Sequence, residues 1–122
     1  MKRGRSTGTP NMAQQMRFAI IQDIGCVVAR ARGLGYVPCE IHHLTVGGRH
    51  GQKRRGHDFT VGLNPWSHRG VPFGGWSAAE CAAMFGPSYA RAPRRFREEI
   101  GDDDALMKLQ ADLIGQQQGQ AA

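Results

Sequence analysis

Between Cys39 and Gly70 the chain reads CEIHHLTVGGRHGQKRRGHDFTVGLNPWSHRG and holds all five of its histidines, His42, His43, His50, His57 and His68. An imidazole titrates near neutral pH, so it can take a proton from water, and its neutral form binds divalent cations. Arg49, Lys53, Arg54 and Arg55 stand among these histidines. Guanidinium and ammonium groups in that density suit phosphate. Hydrolysis of a phosphodiester needs a water stripped of its proton and a cation that neutralises charge on the phosphate and the leaving oxygen. The residue types in this stretch supply both, so the expected chemistry is metal-dependent cleavage of nucleic acid.

Two β-type runs, 37–44 and 58–63, must position these groups, with a Gly- and Arg-rich loop over 45–57 between them. Consecutive strand residues point to opposite faces. His42 and His43 can therefore serve one site only where the strand ends or twists, one as metal ligand and the other as base. Pro38 restricts the first strand near its start. Four glycines and the basic residues of the loop leave nothing from which to build a core, and a connection of this length is expected to be functional or disordered.

Around this hairpin the pattern predicts helices. Asn11 can cap a helix on which Met12, Met16, Ile20, Ile24 and Val27 recur as core residues, with Gly25 as its end or bend. Ser77 and Glu80 form a capping-box signature for a second helix that Gly86-Pro87 ends, with Trp76 packing on Cys81 as a staple. A short helix is expected over 93–100. A last one begins at Asp102, Asp103 and Asp104, whose charge suits a helix N-terminus, and buries Leu106, Leu109, Leu113 and Ile114. Residues 1–10 read as a disordered basic arm, 11–115 as a single domain and 116–122 as a disordered tail.

With 122 residues there is room for one core. The net charge of +6 is unevenly spread: residues 1–70 carry eleven Lys/Arg against three acids, and 71–122 carry five against seven. The basic half is the histidine half, which points to a polyanionic partner. Three widely spaced cysteines, Cys26, Cys39 and Cys81, indicate no disulfide framework and fit a reducing cytoplasm. The N-terminus lacks the apolar segment of a secretory signal, and nothing approaches a membrane span.

The pieces GCVVA at 25–29, EIHHL at 40–44, GH ending at His57 and TVGLNPWSHRG at 60–70 together resemble the HNH, or ββα-metal, nucleases. Within them they resemble the phage Ref type of RecA-dependent recombination nuclease, whose pattern is approximately GCxxC, EIHH and xLCxxHHR. The resemblance implies an α+β fold, a small hairpin-plus-helix core with flanking N-terminal and C-terminal helices. It implies His43 as general base, His42 and His68 as ligands of a catalytic Mg²⁺ or Mn²⁺, and His57 and Arg69 assisting at the phosphate. Arg49, Lys53, Arg54 and Arg55 would hold the DNA backbone. A RecA-type recombinase filament and a host cytoplasm follow from the same resemblance. The middle Asn of the HNH name has no clean match and would fall around Asp58 to Thr60.

The family's structural zinc positions read Cys26, Ala29, Asn64 and Ser67 here, and three of the four lack the thiolate or imidazole such a site wants. That implies loss of the structural zinc, with Trp66 and Cys26 filling the space. Three functions stay open from sequence: a metal-dependent endonuclease, an inactive nucleic-acid-binding recombination accessory protein on the same fold, and a protein whose His42, His57 and His68 hold a structural zinc.

Overall fold

The computed structural model describes residues 8–45 and 54–121. Its element order is α1 (Met12–Ile24), α2 (Val27–Ala31), β1 (Glu40–His43), β2 (Thr60–Leu63), α3 (Pro65–Arg69), α4 (Ala78–Phe85), α5 (Pro93–Glu99) and α6 (Asp103–Ala121). The fold is α+β, as expected. β1 and β2 form a two-stranded antiparallel sheet in which Glu40 faces Leu63, Ile41 faces Gly62, His42 faces Val61 and His43 faces Thr60. Both strands are shorter than the apolar runs suggested, because the chain from 36 to 39 joins no partner strand among the described residues. An isolated bridge from Thr45 to Arg54 continues the hairpin past β1.

Local capping sets most helix ends. Asn11 and Gln14 form a reciprocal box at the start of α1, and Ser77 and Glu80 do so at α4. Gly25 ends α1 and Gly86 ends α4. Asn64 caps α3 by accepting from Ser67 N at 2.7 Å, and Pro65 occupies the first helical position, where its missing N–H costs nothing. The core lies between the sheet and the helices, around Val27, Val28, Leu44, Val61, Leu63, Trp66, Phe85, Tyr89, Phe96 and Leu106. Burying each large side chain there contributes about 1.5–3 kcal/mol.

Several expectations need correction. Met12 and Met16 are 71% and 60% exposed, not core. The face of α1 that meets the sheet carries Arg17, Phe18, Ile21 and Ile24 instead, and Arg17 hydrogen-bonds the Thr60 side chain and carbonyl. Trp76 packs on Phe73 and Phe85, with ring centroids 5.6 and 6.3 Å away. At the C-terminal end α6 runs through Gly115 to Ala121, and Gln117 donates to Asp23 of α1. Residues 8–10 of the supposed disordered arm are likewise placed. The Pro10 carbonyl accepts from Gln15 and the Gly8 carbonyl is bound by His57. Lys2, Arg3, Arg5, Arg49, His50 and Lys53 lie outside the described residues.

Candidate nuclease site

β1 sends its two histidines to opposite sides. His42 is buried, its ring edge-on to His68 at 4.9 Å between centroids and to Tyr89 at 4.8 Å. His43 points to α1, where Phe18 stands 6.1 Å from its ring and 5.5 Å from that of His57. The sheet thus makes two imidazole pairs, His42 with His68 and His43 with His57. Arg54, just beyond β1 in the hairpin, links them electrostatically. Its charge depresses the pKa of both His43 and His68.

Glu40 at the start of β1 organises the first pair. It accepts from His68 Nδ1 at 2.9 Å and is clasped by Arg69 Nε at 2.8 Å and by a second Arg69 nitrogen at 2.6 Å. These contacts hold the Glu40 carboxyl below the usual carboxylate range, the Arg69 hydrogen bonds most, against the opposing effect of burial. An ionised Glu40 can only accept, so the proton of neutral His68 sits on Nδ1 and the lone pair on Nε2. A carboxylate that fixes the tautomer in this way is the usual support behind a metal-binding histidine. Burial lowers the His68 pKa while Glu40 raises it. The Arg69 guanidinium, expected at the phosphate, is engaged by Glu40.

The second pair forms a chain. His57 Nε2 lies 2.8 Å from the Gly8 carbonyl, and His57 Nδ1 lies 3.0 Å from His43 Nε2. A carbonyl only accepts, so His57 carries its proton on Nε2. With both rings neutral, the shared proton then belongs to His43 Nε2, which leaves His43 Nδ1 as a lone pair. Burial first, then Arg54, His57 and His68, push the His43 pKa down to about 4. His43 is therefore a proton acceptor throughout the neutral range. Thr60, which faces His43 across the sheet, falls where the middle residue of the HNH pattern was left unassigned.

The four residues that the resemblance aligns with a zinc site also come together. Cys26, Ala29, Asn64 and Ser67 each have zero exposure. Asn64 Nδ2 donates to Cys26 Sγ at 3.3 Å, and backbone N–H groups of Val28, Ala29 and Asn64 also point at that sulfur. Burial nonetheless raises the Cys26 thiol above its ordinary value. The Ser67 hydroxyl is buried with no hydrogen-bond partner among the described residues. One thiol, a methyl, an amide and a hydroxyl do not fit a structural zinc. Trp66 is in the core, as expected, where its indole N–H donates to the Gly86 carbonyl at 2.9 Å.

The set His42, His57 and His68 is not brought together, because both His57 nitrogens are engaged by Gly8 and His43 on the α1 side. Among the described residues no three His, Cys, Asp or Glu side chains are placed to hold one metal. His42 and His68 stand with their rings 4.9 Å apart, edge to face, two imidazoles in contact. Two nitrogen donors suit a transition ion better than Mg²⁺. Of the described basic residues expected on DNA, Arg54 lies near both histidine pairs, and Arg55 stacks over Phe59 with its guanidinium carbon 4.2 Å from the ring centroid.

Sequence reading did not place Phe18, Gly8 or Tyr89 at the site. Tyr89 is buried, hydrogen-bonds the Thr45 side chain through its hydroxyl, and donates its backbone N–H to the Ser67 carbonyl at 2.8 Å. No local pattern marks it, because only the packing of the 86–92 segment against α3 brings it to His42. Glu40 was legible as the Glu of EIHH, although its pairing with His68 and Arg69 was not.

A small α+β domain with paired imidazoles on a hairpin and a following helix, set among arginines, is the kind of site that acts on phosphodiesters. The chain belongs to the family described as recombination enhancement, RecA-dependent nuclease, whose model matches residues 10–115. Its class is thus a nuclease of recombination, linked to RecA and to DNA. No curated protein and no solved structure matches the chain. Among the described residues, no helix is long and apolar enough to cross a membrane.

Proposed function

We propose that this chain is a metal-dependent DNA endonuclease of the HNH, or ββα, type. Support comes chiefly from one observation: His43, bonded through Nε2 to His57, and His68, held through Nδ1 by Glu40, both lie within the field of Arg54. In this reading His43 Nδ1 takes the proton from the attacking water. His57 and the Gly8 carbonyl hold the ring and accept part of the charge that develops on it. His42 and His68 hold the divalent ion, Mn²⁺ or Mg²⁺, which when bound neutralises charge on the phosphate and on the leaving oxygen. Arg54 attracts and orients the scissile phosphate, aided by Arg49, Lys53 and Arg55. Arg69 acts indirectly by keeping Glu40 ionised behind His68. The family's recombinase link makes DNA engaged by a RecA-type filament the natural substrate, in the cytoplasm of a phage-infected host.

The test is nicking of supercoiled plasmid with Mn²⁺ or Mg²⁺, with and without chelator. Removing a general base costs about 10²–10⁴-fold in rate, so His43→Ala should lose that much. Unchanged nicking by His43→Ala would take His43 out of the mechanism.

A second reading, a catalytically inactive DNA-binding accessory protein, is favoured by the replaced zinc positions and by the incomplete donor set. Calorimetry with Mn²⁺ separates the two. Uptake that is lost in His68→Ala supports the nuclease, and no uptake with DNA binding intact supports the accessory protein.

A further inference from the structure

A cavity of about 390 Å³ is lined by Arg32, Arg91 and Arg95 together with Trp66, Ser88 and Glu99. Three guanidiniums face one carboxylate there, and Glu99 is already paired with Arg95 at 3.0 Å. The excess of positive charge is thus carried by Arg32 and Arg91, from two separate parts of the chain. Both are exposed, yet each is held by its neighbours. The Arg91 guanidinium stacks over the Trp66 ring at 4.8 Å. Its stem lies on Gly70, where a Cβ would come within 2.6 Å of Arg91 Cγ, and the φ of +71° at Gly70 further favours glycine. Arg32 lies across the end of α4, donating to the Met84 carbonyl at 3.4 Å, with one head nitrogen 2.8 Å from where a Cβ on Gly86 would stand.

Two backbone positions without a side chain thus let two arginines lie flat and held in place beside an open concavity. A pre-ordered planar fork loses little rotamer freedom on binding and matches the oxygens of a phosphate. The cavity adjoins Gly70, the residue directly after His68-Arg69 on α3.

We propose that the Arg32–Arg91 cavity takes a backbone phosphate of the DNA strand. This inference rests on DNA being the substrate, and it adds a second anchoring point that sets the strand's path around α3.

The test is fluorescence anisotropy of a labelled single-stranded oligonucleotide on the full chain without divalent ions, repeated across a salt series. One phosphate contact contributes about 0.7 to the slope of log affinity against log salt on single strands, so Arg32→Gln/Arg91→Gln should lower the slope by about that amount. Loss of charged hydrogen bonds should weaken low-salt binding about tenfold. Arg32→Gln alone, at an exposed position, should move both readings in the same direction, which covers the case that the double variant misfolds. Arg94→Gln, on α5 but outside the cavity, should leave the slope as in wild type. An equal effect of Arg94→Gln, or an unchanged slope in both cavity variants, would overturn the proposal, the latter leaving an acidic protein as the occupant. Inorganic phosphate alone, titrated by calorimetry, should bind too weakly in wild type to differ from the double variant, because a single phosphate lacks the anchoring of the rest of the strand. A difference there with an unmoved oligonucleotide slope would mean a free-phosphate site and overturn the strand assignment. His43→Ala keeps these outcomes apart from the nuclease reading, because it should abolish nicking and leave the slope intact.

Discussion

Two clusters flank β2 and α3, and they differ in one respect. Cys26, Ala29, Asn64 and Ser67 are sealed, with zero exposure, and are tied by the Asn64 to Cys26 hydrogen bond. Around Glu40 the groups remain partly open, with the His68 and Glu40 side chains 24% and 32% exposed. In both, short elements bring polar side chains from distant parts of the chain to one point. In the first the donors left are too few to hold a cation, and the site has become core. In the second, imidazoles and a carboxylate keep lone pairs at the edge of solvent. Convergence alone does not make a reactive site; the side-chain chemistry and the access of water decide.

This contrast predicts separable failures. His43→Ala should lose about 10²–10⁴-fold in nicking while its thermal midpoint stays close to that of wild type. Asn64→Ala should do the reverse. It removes the α3 cap and the partner of a buried thiol, for a cost of about 2–3 kcal/mol. In a domain of this size that lowers the midpoint in circular dichroism by about 10 °C. A large activity loss in Asn64→Ala at a temperature where it is fully folded would erase the distinction between the two clusters.

Glu40→Gln should come next. It replaces an acceptor-only carboxylate with a neutral amide that can also donate, so the His68 proton is no longer fixed on Nδ1, and losing such support costs about 10–100-fold in metal affinity. Calorimetry with Mn²⁺ reads this directly, and unchanged affinity would show that Glu40 serves only to join β1 to α3.

The smallest expected effect concerns pH. His43 has a folded pKa of about 4, below its unfolded value near 6.5. The unfolded chain therefore binds more protons between these values, and stability is lost as pH falls through that window. His43→Gln should flatten this part of the stability profile. The acid limb of kcat/KM should likewise fall below pH 5, and a limb centred at 6.5 would show that His43 is not held neutral by its surroundings.

The fold was legible wherever short-range rules act. Asn11 with Gln14, Ser77 with Glu80, and Gly86 at the end of α4 are caps made within four residues, so the chain states them directly. Met12 and Met16 misled because their spacing is helical, while the buried face of α1 is chosen by what the sheet offers. Thr60 and Phe18 select the neighbouring face instead. The 116–122 segment reads as a polar tail, yet through Ala121 it is helical, where α6 continues past its buried part and meets Asp23 through Gln117. Gln110 is fully buried, accepting from Gly62 N at 2.8 Å, and no periodicity argument places a glutamine in a core.

The sequence by itself determined the inventory: a histidine doublet on a strand, a third histidine on the helix after the next strand, arginines in the connecting loop, and zinc positions without ligands. Those are matters of residue type and local spacing. Only the tertiary structure decided how the histidines pair, His42 with His68 and His43 with His57. Strand alternation, the packing of α1 and α3 on opposite sides of the hairpin, and the Gly8 carbonyl that orders the protons are relations between segments far apart in the chain, and their free energies exist only once those segments meet.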